Sequence, residues 1–369
     1  MKACVLDEAR TAEWNALVAR EGSFSLTQSW EWGAFKERLG WNVYRIGVED
    51  DAALIAGAQL LIKPLPLGFS VAYVPRGPVG HWLEDEAASL LFSELERLAR
   101  TNRAVFLKIE PPVQGEPQVL ALLNRYRFRQ SRITNQPQTT MMLDISQPPE
   151  EILERMRKKT RQYIRRAERE GITTRLGDAK DLPAFCELMR LTGNREGFAN
   201  RSPQYFQAEW DAFSPSDRCA LLLAYYEKQL IAVRTVYYFG RHAAEFHGGS
   251  ITVPGLHPNY LLVWQAIQWA KERGCMTYDM WGIPDEVEPA VDDQRPEMPE
   301  RHDGLWGVYQ FKRGFGSNVV RYAGAYDLVF MRSVYFLFGA AMVNRTLWER
   351  AAARLDLALR STTSKEVAL

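Results

Sequence analysis

Residues 41–110 read WNVYRIGVEDDAALIAGAQLLIKPLPLGFSVAYVPRGPVGHWLEDEAASLLFSELERLARTNRAVFLKIE. Three short apolar runs, WNVYRIGV, ALIAGAQLLIK and FSVAYVP, are separated by an Asp-Asp pair and by PLPLG, the pattern of an antiparallel meander. EDEAASLLFSELERLAR follows as a helix with an acidic first turn and a basic end, as the helix dipole favours. AVFLKIE is then a buried strand closed by Pro111-Pro112. Upstream, Trp32, Phe35 and Leu39 have helical spacing from about Thr27 and stop at Gly40. Downstream, a helix around Gln118 to Tyr126 and the strand TTMMLDI complete a first unit, 1–145.

The same grammar returns after Pro148-Pro149. The helix EEILERMRKKTRQYIRRAERE runs to Gly171, then come strand ITTRL, helices near Leu182 and Tyr205, and three strands, CALLLAYY, LIAVRTVYYF and HAAEFHG. The helix Tyr260 to Arg273, strand MTYDMWG, helix LWGVYQFKRGF and strand NVVRYAGAYDLVF close a second unit, 146–330. Strands and helices mixed in the same order twice, without a residue-level repeat, predict a duplicated α+β unit. Asp285 to Asp303, with eight acidic residues and three prolines, reads as a loop. The tail, 331–369, has helical periodicity from Ser333 to Arg360 and is expected to pack on the first unit.

Composition narrows the class. At 369 residues two domains are expected, since one usually takes about 150. With 46% hydrophobic and 25% charged residues the chain is globular. Lys plus Arg at 46 against Asp plus Glu at 45 leaves +1, so any anion binding must come from a local patch. The four cysteines form no CxxC pair and the five histidines no HExxH, so neither a metal nor a disulfide framework is expected. The N-terminus turns acidic before an apolar run forms, and Val334 to Val343 is half the roughly twenty residues a spanning helix needs. A cytoplasmic protein is the expectation.

Three stretches can carry chemistry. Between Arg155 and Arg169 eight of fifteen positions are basic, opposed only by Glu168, while Leu153, Met156, Thr160, Ile164 and Ala167 form one apolar stripe. Most charge runs are solvated faces; here density and single sign favour an anionic partner such as tRNA, a nucleotide-sugar diphosphate or an anionic membrane. In GLWGVYQFKRGFGS, Phe311 and Lys312 precede glycines 314 and 316, read either as a helix end with its stop or as backbone able to approach a ligand closely. Trp30, Trp32, Phe35 and Lys36 are a core helix with a snorkelling lysine unless the lysine has a ligand. No G-x-S-x-G elbow, Walker A loop or strand-linked G-x-G-x-x-G is present, nor the Gln/Arg-x-x-Gly-x-Gly/Ala loop that seats coenzyme A in ordinary acetyltransferases.

Taken in chain order, QSWEWGAFKERLGW, YVPRGPV, MRKKTRQYIRRAEREGI, NREGFANRSPQYF, YLLVWQAIQWAKERGCMTYDMWGIPD and GVYQFKRGFGSNVVRYAGAYDLVF, from Gln28 to Phe330, resemble the FemABX family of aminoacyl-tRNA-dependent peptidoglycan-bridge aminoacyltransferases. The resemblance implies two tandem domains of the GCN5-related N-acetyltransferase type, with the C-terminal segment returning to the first. It implies transfer of an amino acid from aminoacyl-tRNA, as co-substrate and without a cofactor, to a stem-peptide amine of UDP-MurNAc-pentapeptide or lipid II, with possible peripheral contact at the inner membrane face. By motif match Lys36 and Arg201 are expected on the acceptor's phosphates, with Tyr205 and Tyr260 also substrate-binding. Lys312 is expected at the acyl-transfer centre, with Phe311 at the tRNA 3′ end. An oxyanion forming on the ester calls for such a fixed cation. Glu110 is a candidate base, standing where the family commonly has Asp-Pro; Ser317 replaces a common glycine. Arg157, Lys158, Lys159, Arg161 and Arg165 are expected to touch tRNA. The family's long coiled-coil arm has no room between Gly171 and Asp181, which points to the compact form. The alternatives are a same-fold acyltransferase acting in exopolysaccharide or protein N-acylation, or a non-catalytic RNA- or membrane-binding scaffold.

Overall fold

The three runs at 41–75 do form a meander, and every later feature hangs on it. The computed structural model describes residues 1–21, 25–131, 133–197, 199–289 and 305–343, the side chains of 338–343 excepted. Strands β1 (Lys2–Val5), β2 (Asn42–Asp50), β3 (Ala53–Pro64), β4 (Ser70–Val74), β5 (Val79–Gly80), β6 (Ala104–Ile109) and β7 (Arg129–Gln130) make most of a first sheet. Helices α1 (Thr11–Ala19), α2 (Trp30–Arg38), α3 (Asp85–Thr101) and α4 (Pro117–Arg125) flank it. A helix separates β4 from β6, and these two run parallel within an otherwise antiparallel sheet.

The second sheet repeats this plan with β10 (Cys219–Tyr226), β11 (Gln229–Phe239) and β12 (His242–Ser250) as its meander. Helix α9 (Pro258–Glu272) then leads to β13 (Thr277–Gly282), parallel to β12. The closing antiparallel strand of each unit comes from outside that run of chain. β8 (Thr139–Asp144), placed by the sequence reading at the end of the first unit, pairs with β13 and with β14 (Asn318–Arg321) in the second sheet. The boundary expected at 145 therefore falls one strand too late. Likewise NVVRYAGAYDLVF is two strands rather than one: β14 ends at Arg321, and β15 (Tyr326–Val329) pairs with β6 and β7 in the first sheet. Gly324, at φ +92°, lets the chain turn between them. The return of the C-terminal segment to the first unit is thus a strand exchange. The strand β9 (Thr173–Leu176) closes the other edge against β10.

The basic segment also differs from its expected form. Instead of one helix there are two, α5 (Pro149–Arg155) and α6 (Lys158–Arg169), because Met156 and Arg157 are extended. The break receives the glycine turn after α10 (Leu305–Arg313): the Arg157 amide donates to the Gly314 carbonyl at 2.9 Å. A Cβ on Gly314 would lie 2.4 Å from Thr160 Oγ1, and one on Gly316 2.8 Å from the Arg155 carbonyl. These glycines admit a neighbouring helix, not a ligand. α6 ends at Arg169 and β9 begins at Thr173, so no helical arm stands between them.

Each unit has its own apolar core, one under α3 and α4, the other under α6, α9 and α10. A third core joins them. Trp14, Trp32, Phe35 and Tyr73 of the first unit pack with Phe213, Tyr237 and Phe239 of the second, where α2 meets α8 (Pro203–Phe213). α7 (Leu182–Glu196) packs on β12. α11 (Arg332–Val343) begins on β6, with Tyr335 edge-on to Phe106 at 5.2 Å; the rest of the expected tail lies outside the described residues, as does most of the acidic loop. β1 and α1 were not legible in sequence, being short and, for α1, weakly patterned.

The strand exchange has a chemical lock. Asp327 on β15 pairs with Lys108 on β6 at 2.8 Å, both almost wholly buried, and also accepts from the Tyr335 hydroxyl at 2.7 Å. Removing one partner of a buried pair leaves an uncompensated charge, which costs about 3–5 kcal/mol. Lys108 keeps Ser131 Oγ and the Ile133 carbonyl as acceptors, which places Asp327→Ala near the lower end. Urea denaturation of the variant, read by circular dichroism, checks this value.

Candidate functional site

The seam between the two units gathers two buried lysines that make no ion pair among the described residues. Lys36 stands in the last turn of α2, which Ser29 caps at its start by accepting from the Trp32 amide. Helical spacing stacks Trp32 and Phe35 beside Lys36, and α8 brings Tyr205 across. The ammonium lies 4.5, 4.3 and 5.4 Å from these three ring centroids. Among the described residues it has no ion pair. Burial pulls its pKa down to about 8, with Arg201 pushing the same way and Glu209 opposing. Arg201 is exposed at the mouth of this box, its guanidinium 5.1 Å from the Tyr205 ring. Glu209 is committed behind it, to His247 at 3.0 Å. An ammonium held by π faces and an exposed guanidinium close by form a site for an anion with more than one charged oxygen.

The second cation is Lys312, in the last turn of α10 and only 6% exposed. Its ammonium donates to the Gly282 carbonyl at 2.8 Å. Burial brings its pKa to about 8; Glu245 on β12 and Asp279 on β13 favour the charged form and Arg234 on β11 opposes it. Arg234 is bonded to Glu245, which also accepts from the Tyr278 hydroxyl at 3.2 Å. The lysine therefore keeps donors for a reacting group.

From Lys312 an aromatic strip runs to the basic helix. Phe311 meets the Tyr260 ring at 4.8 Å and Phe315 at 5.3 Å. Tyr260 meets Tyr163 of α6 at 4.9 Å, Tyr163 lies against His257 at 3.8 Å, and Lys159 sits 5.6 Å from the Tyr163 ring. Tyr260 thus joins Phe311 rather than the Lys36 box. Lys158, Lys159 and Arg165 point to solvent. Arg161 does not: its guanidinium donates to the carbonyls of Glu154 and Met156, closing the end of α5 that the helix break leaves open. Arg157 supplies the backbone contact to Gly314 described above.

Glu110 is held fast in the first unit. Its carboxylate accepts from the Tyr73 hydroxyl, from the Asn135 amide at 2.6 Å and from the Gln136 amide at 3.2 Å. Burial raises its pKa while these bonds lower it. Burial prevails, so the pKa lies above the usual carboxylate value, and the bonds anchor the 135–136 turn to the end of β6.

Two site residues lie inside quoted segments without having been singled out. Arg76, in YVPRGPV, is 3% exposed, donates to the Pro137 carbonyl at 3.1 Å and covers the Tyr322 ring at 4.2 Å. Asp279, in MTYDMWG, is 1% exposed and faces both Arg76 and Lys312. The available signal was a lone charge inside an apolar strand or between turn residues, which burial makes expensive unless it is used. Rings bridge the seam between the two lysines: Trp32 to Phe246 at 5.9 Å, and Phe246 to Trp281 at 4.6 Å.

The geometry defines a class: two α+β units of one plan, tied together by exchanged strands, with a seam that carries two buried lysines. Comparison with known proteins adds specific likenesses. Residues 10–118 match the FemAB family model and residues 154–289 an acetyltransferase (GNAT) domain model. The lipid II:glycine glycyltransferase of Staphylococcus haemolyticus (strain JCSC1435) is 24% identical over 400 aligned positions, covering 88% of this chain and 93% of that protein. The enzyme of the same name from Staphylococcus aureus (strain MRSA252) is 24% identical with the same coverage. The crystal structure of FemX superposes with a TM-score of 0.79 at 22% identity, covering 91% of this chain and 99% of that one. A more distant likeness, TM-score 0.53 at 13% identity and covering 91% and 96%, is to the C-terminal domain of a putative lysylphosphatidylglycerol synthetase from Agrobacterium fabrum. Over residues 10–118 the chain is thus similar to the FemAB family, and its overall fold is similar to that of FemX. Among the described residues no helix is long and apolar enough to cross a membrane, and no group of His, Cys, Asp and Glu is arranged to hold a metal.

Proposed function

We propose that this protein transfers an amino acid from aminoacyl-tRNA to the stem-peptide amine of a peptidoglycan precursor. The observation that carries the reading is the pair of lysines on one seam, each with a pKa near 8 and, among the described residues, neither ion-paired to a carboxylate, in a chain whose relatives over most of its length are named as glycyltransferases. The Lys36 and Arg201 site takes the diphosphate of the acceptor, either UDP-MurNAc-pentapeptide or lipid II. The strip from Tyr163 to Phe311 is sequence-tolerant stacking surface for the single-stranded 3′ end of tRNA, and the exposed cations of α6 take its phosphates.

At the centre the acceptor amine attacks the ester carbonyl. A C–N bond forms, the ester C–O bond breaks, and the amine's proton goes to the departing ribose oxygen. Between these events the carbonyl oxygen carries negative charge. Lys312, desolvated and fixed on Gly282, is placed to stabilise that charge without reorganising. Glu110 acts as a structural anchor, and the proton moves within the substrates. Transfer reconstituted from charged tRNA and either acceptor, read by mass spectrometry, tests the proposal: the acceptor gains an aminoacyl residue, and comparing UDP-linked with lipid-linked precursor assigns its form.

For the tRNA surface, Lys158→Ala/Lys159→Ala/Arg165→Ala is expected to weaken tRNA binding at low salt and to flatten the slope of log K against log salt by roughly two, since each lost phosphate contact removes about 0.7–0.9 of slope. Arg161→Ala should instead lower thermal stability, because its role is capping. Filter binding across a salt series measures the first and a thermal melt the second. An unchanged slope in the triple variant would show that this face is merely solvated.

A further inference from the structure

Trp281 has φ +69°, a left-handed backbone that a bulky residue adopts only when its surroundings impose it. The cause is visible. Asp279 accepts from the Trp281 amide at 2.8 Å and from the Thr140 hydroxyl across the sheet, and the β13–β8 register shifts between Asp279 and Gly282. The resulting bulge aims the Gly282 carbonyl at the Lys312 ammonium, 2.8 Å away. Bulges of this kind re-aim groups beside active sites. From the other unit, Arg76 reaches the same place, its guanidinium 5.6 Å from the Trp281 ring.

We propose that Asp279 is the positioning residue for Lys312: its carboxylate holds Trp281 in the left-handed bulge that presents the Gly282 carbonyl to the ammonium, and its charge faces Lys312 and Arg76 across the seam. This rests on the reading of Lys312 as the cation of the transfer step. The groups facing Lys312 are Glu245 from β12, Asp279 from β13 and Arg234 from β11; those facing Asp279 are Arg76, Lys312 and the hydroxyls of Thr140, Tyr278 and Tyr322. Two consequences separate this role from ordinary fold support. Misplacement of the ammonium by about 1 Å lowers turnover by up to about 100-fold. Loss of the Asp279 charge also removes a partner that keeps Lys312 protonated, so its pKa falls below about 8.

The test measures kcat and acceptor KM against pH for Asp279→Asn and Asp279→Glu with charged tRNA and the acceptor varied to saturation. Asp279→Asn is expected to lower kcat at pH 7 about 10–100-fold, to leave the acceptor KM unchanged and to move the alkaline limb to lower pH. Asp279→Glu is expected to keep that limb near its wild-type pH. If Asp279→Asn does not fold, Asp279→Asn/Trp281→Gly replaces it, since glycine adopts the left-handed backbone without strain. The double variant should fold and show the lowered limb relative to Trp281→Gly. An alkaline limb at wild-type pH in the charge-neutral variant, or a double variant that remains unfolded, overturns the assignment. Lys312→Met is run beside them: if it retains full turnover, the catalytic reading of Lys312 itself has failed, whereas an inactive Lys312→Met with an unshifted Asp279→Asn rejects only the positioning role.

Discussion

Lys312→Met is expected to lower kcat by about 10²–10³-fold, the range found on removing one donor from a preorganised oxyanion site, with little change in acceptor KM. Methionine keeps an unbranched apolar stem at this buried position, so packing is largely preserved and the charge is lost. The distinction between kcat and KM follows from timing: the ammonium meets full negative charge only in the transition state, so ground-state affinity depends on it little. The wild-type pH profile carries the same signature. Lys312 works protonated and its pKa is near 8, so turnover should decline as pH rises through about 8. Lys312→Met should lose that limb. Near-normal turnover in this variant would reduce Lys312 to a buried helix-end cation.

Lys36→Ala should act on binding. A charge-assisted contact to phosphate contributes about 1.5–3 kcal/mol, so the acceptor KM should rise roughly 10- to 100-fold while kcat at saturation holds. Arg201→Ala should do the same more weakly, because its exposed guanidinium remains hydrated in the free protein and is screened by salt. The pH dependence has a clear sign: the ammonium is the binding form, so affinity is full below about 8 and falls above it. Steady-state kinetics with varied acceptor at pH 7 and pH 9 measures both effects. An unchanged KM in both variants would move the diphosphate elsewhere.

Much of this architecture was legible because the local signals were periodic and bounded. The meander at 41–75, the acidic-to-basic helix at 84–100 and their counterparts at 219–248 and 258–272 are all present. What the chain could not reveal locally was which sheet a strand would join. TTMMLDI and YDLV carry ordinary strand patterns, and their exchange is decided by pairing with β13 and β6, a matter of tertiary contact. The break at Met156–Arg157 was hidden for a similar reason: no proline or glycine marks it, and it exists because the Gly314–Gly316 turn docks there. Among site residues, Lys36, Arg201, Tyr205, Phe311 and Lys312 stand out by type and motif. Tyr260, expected among the substrate-binding residues, packs its ring on Phe311 and Tyr163. Arg161 and Glu110 have the expected residue type, yet their charged groups are spent on backbone carbonyls and amides. Arg76 and Asp279 went unassigned because a charge inside an apolar run acquires meaning only when burial and its neighbours are seen.

In the proposed reaction the acyl donor is a charged tRNA and the product a new amide on a peptidoglycan precursor. Single-turnover transfer from tRNA carrying a radiolabelled amino acid to UDP-MurNAc-pentapeptide or lipid II, with acetyl-coenzyme A as the competing donor, decides whether it occurs. Label leaving tRNA is expected to appear mole for mole in the precursor. Ribonuclease treatment of the donor should abolish transfer, and acetyl-coenzyme A should support none. Acylation that proceeds from the thioester, or tRNA deacylation without amide formation on either precursor, would overturn the proposed reaction.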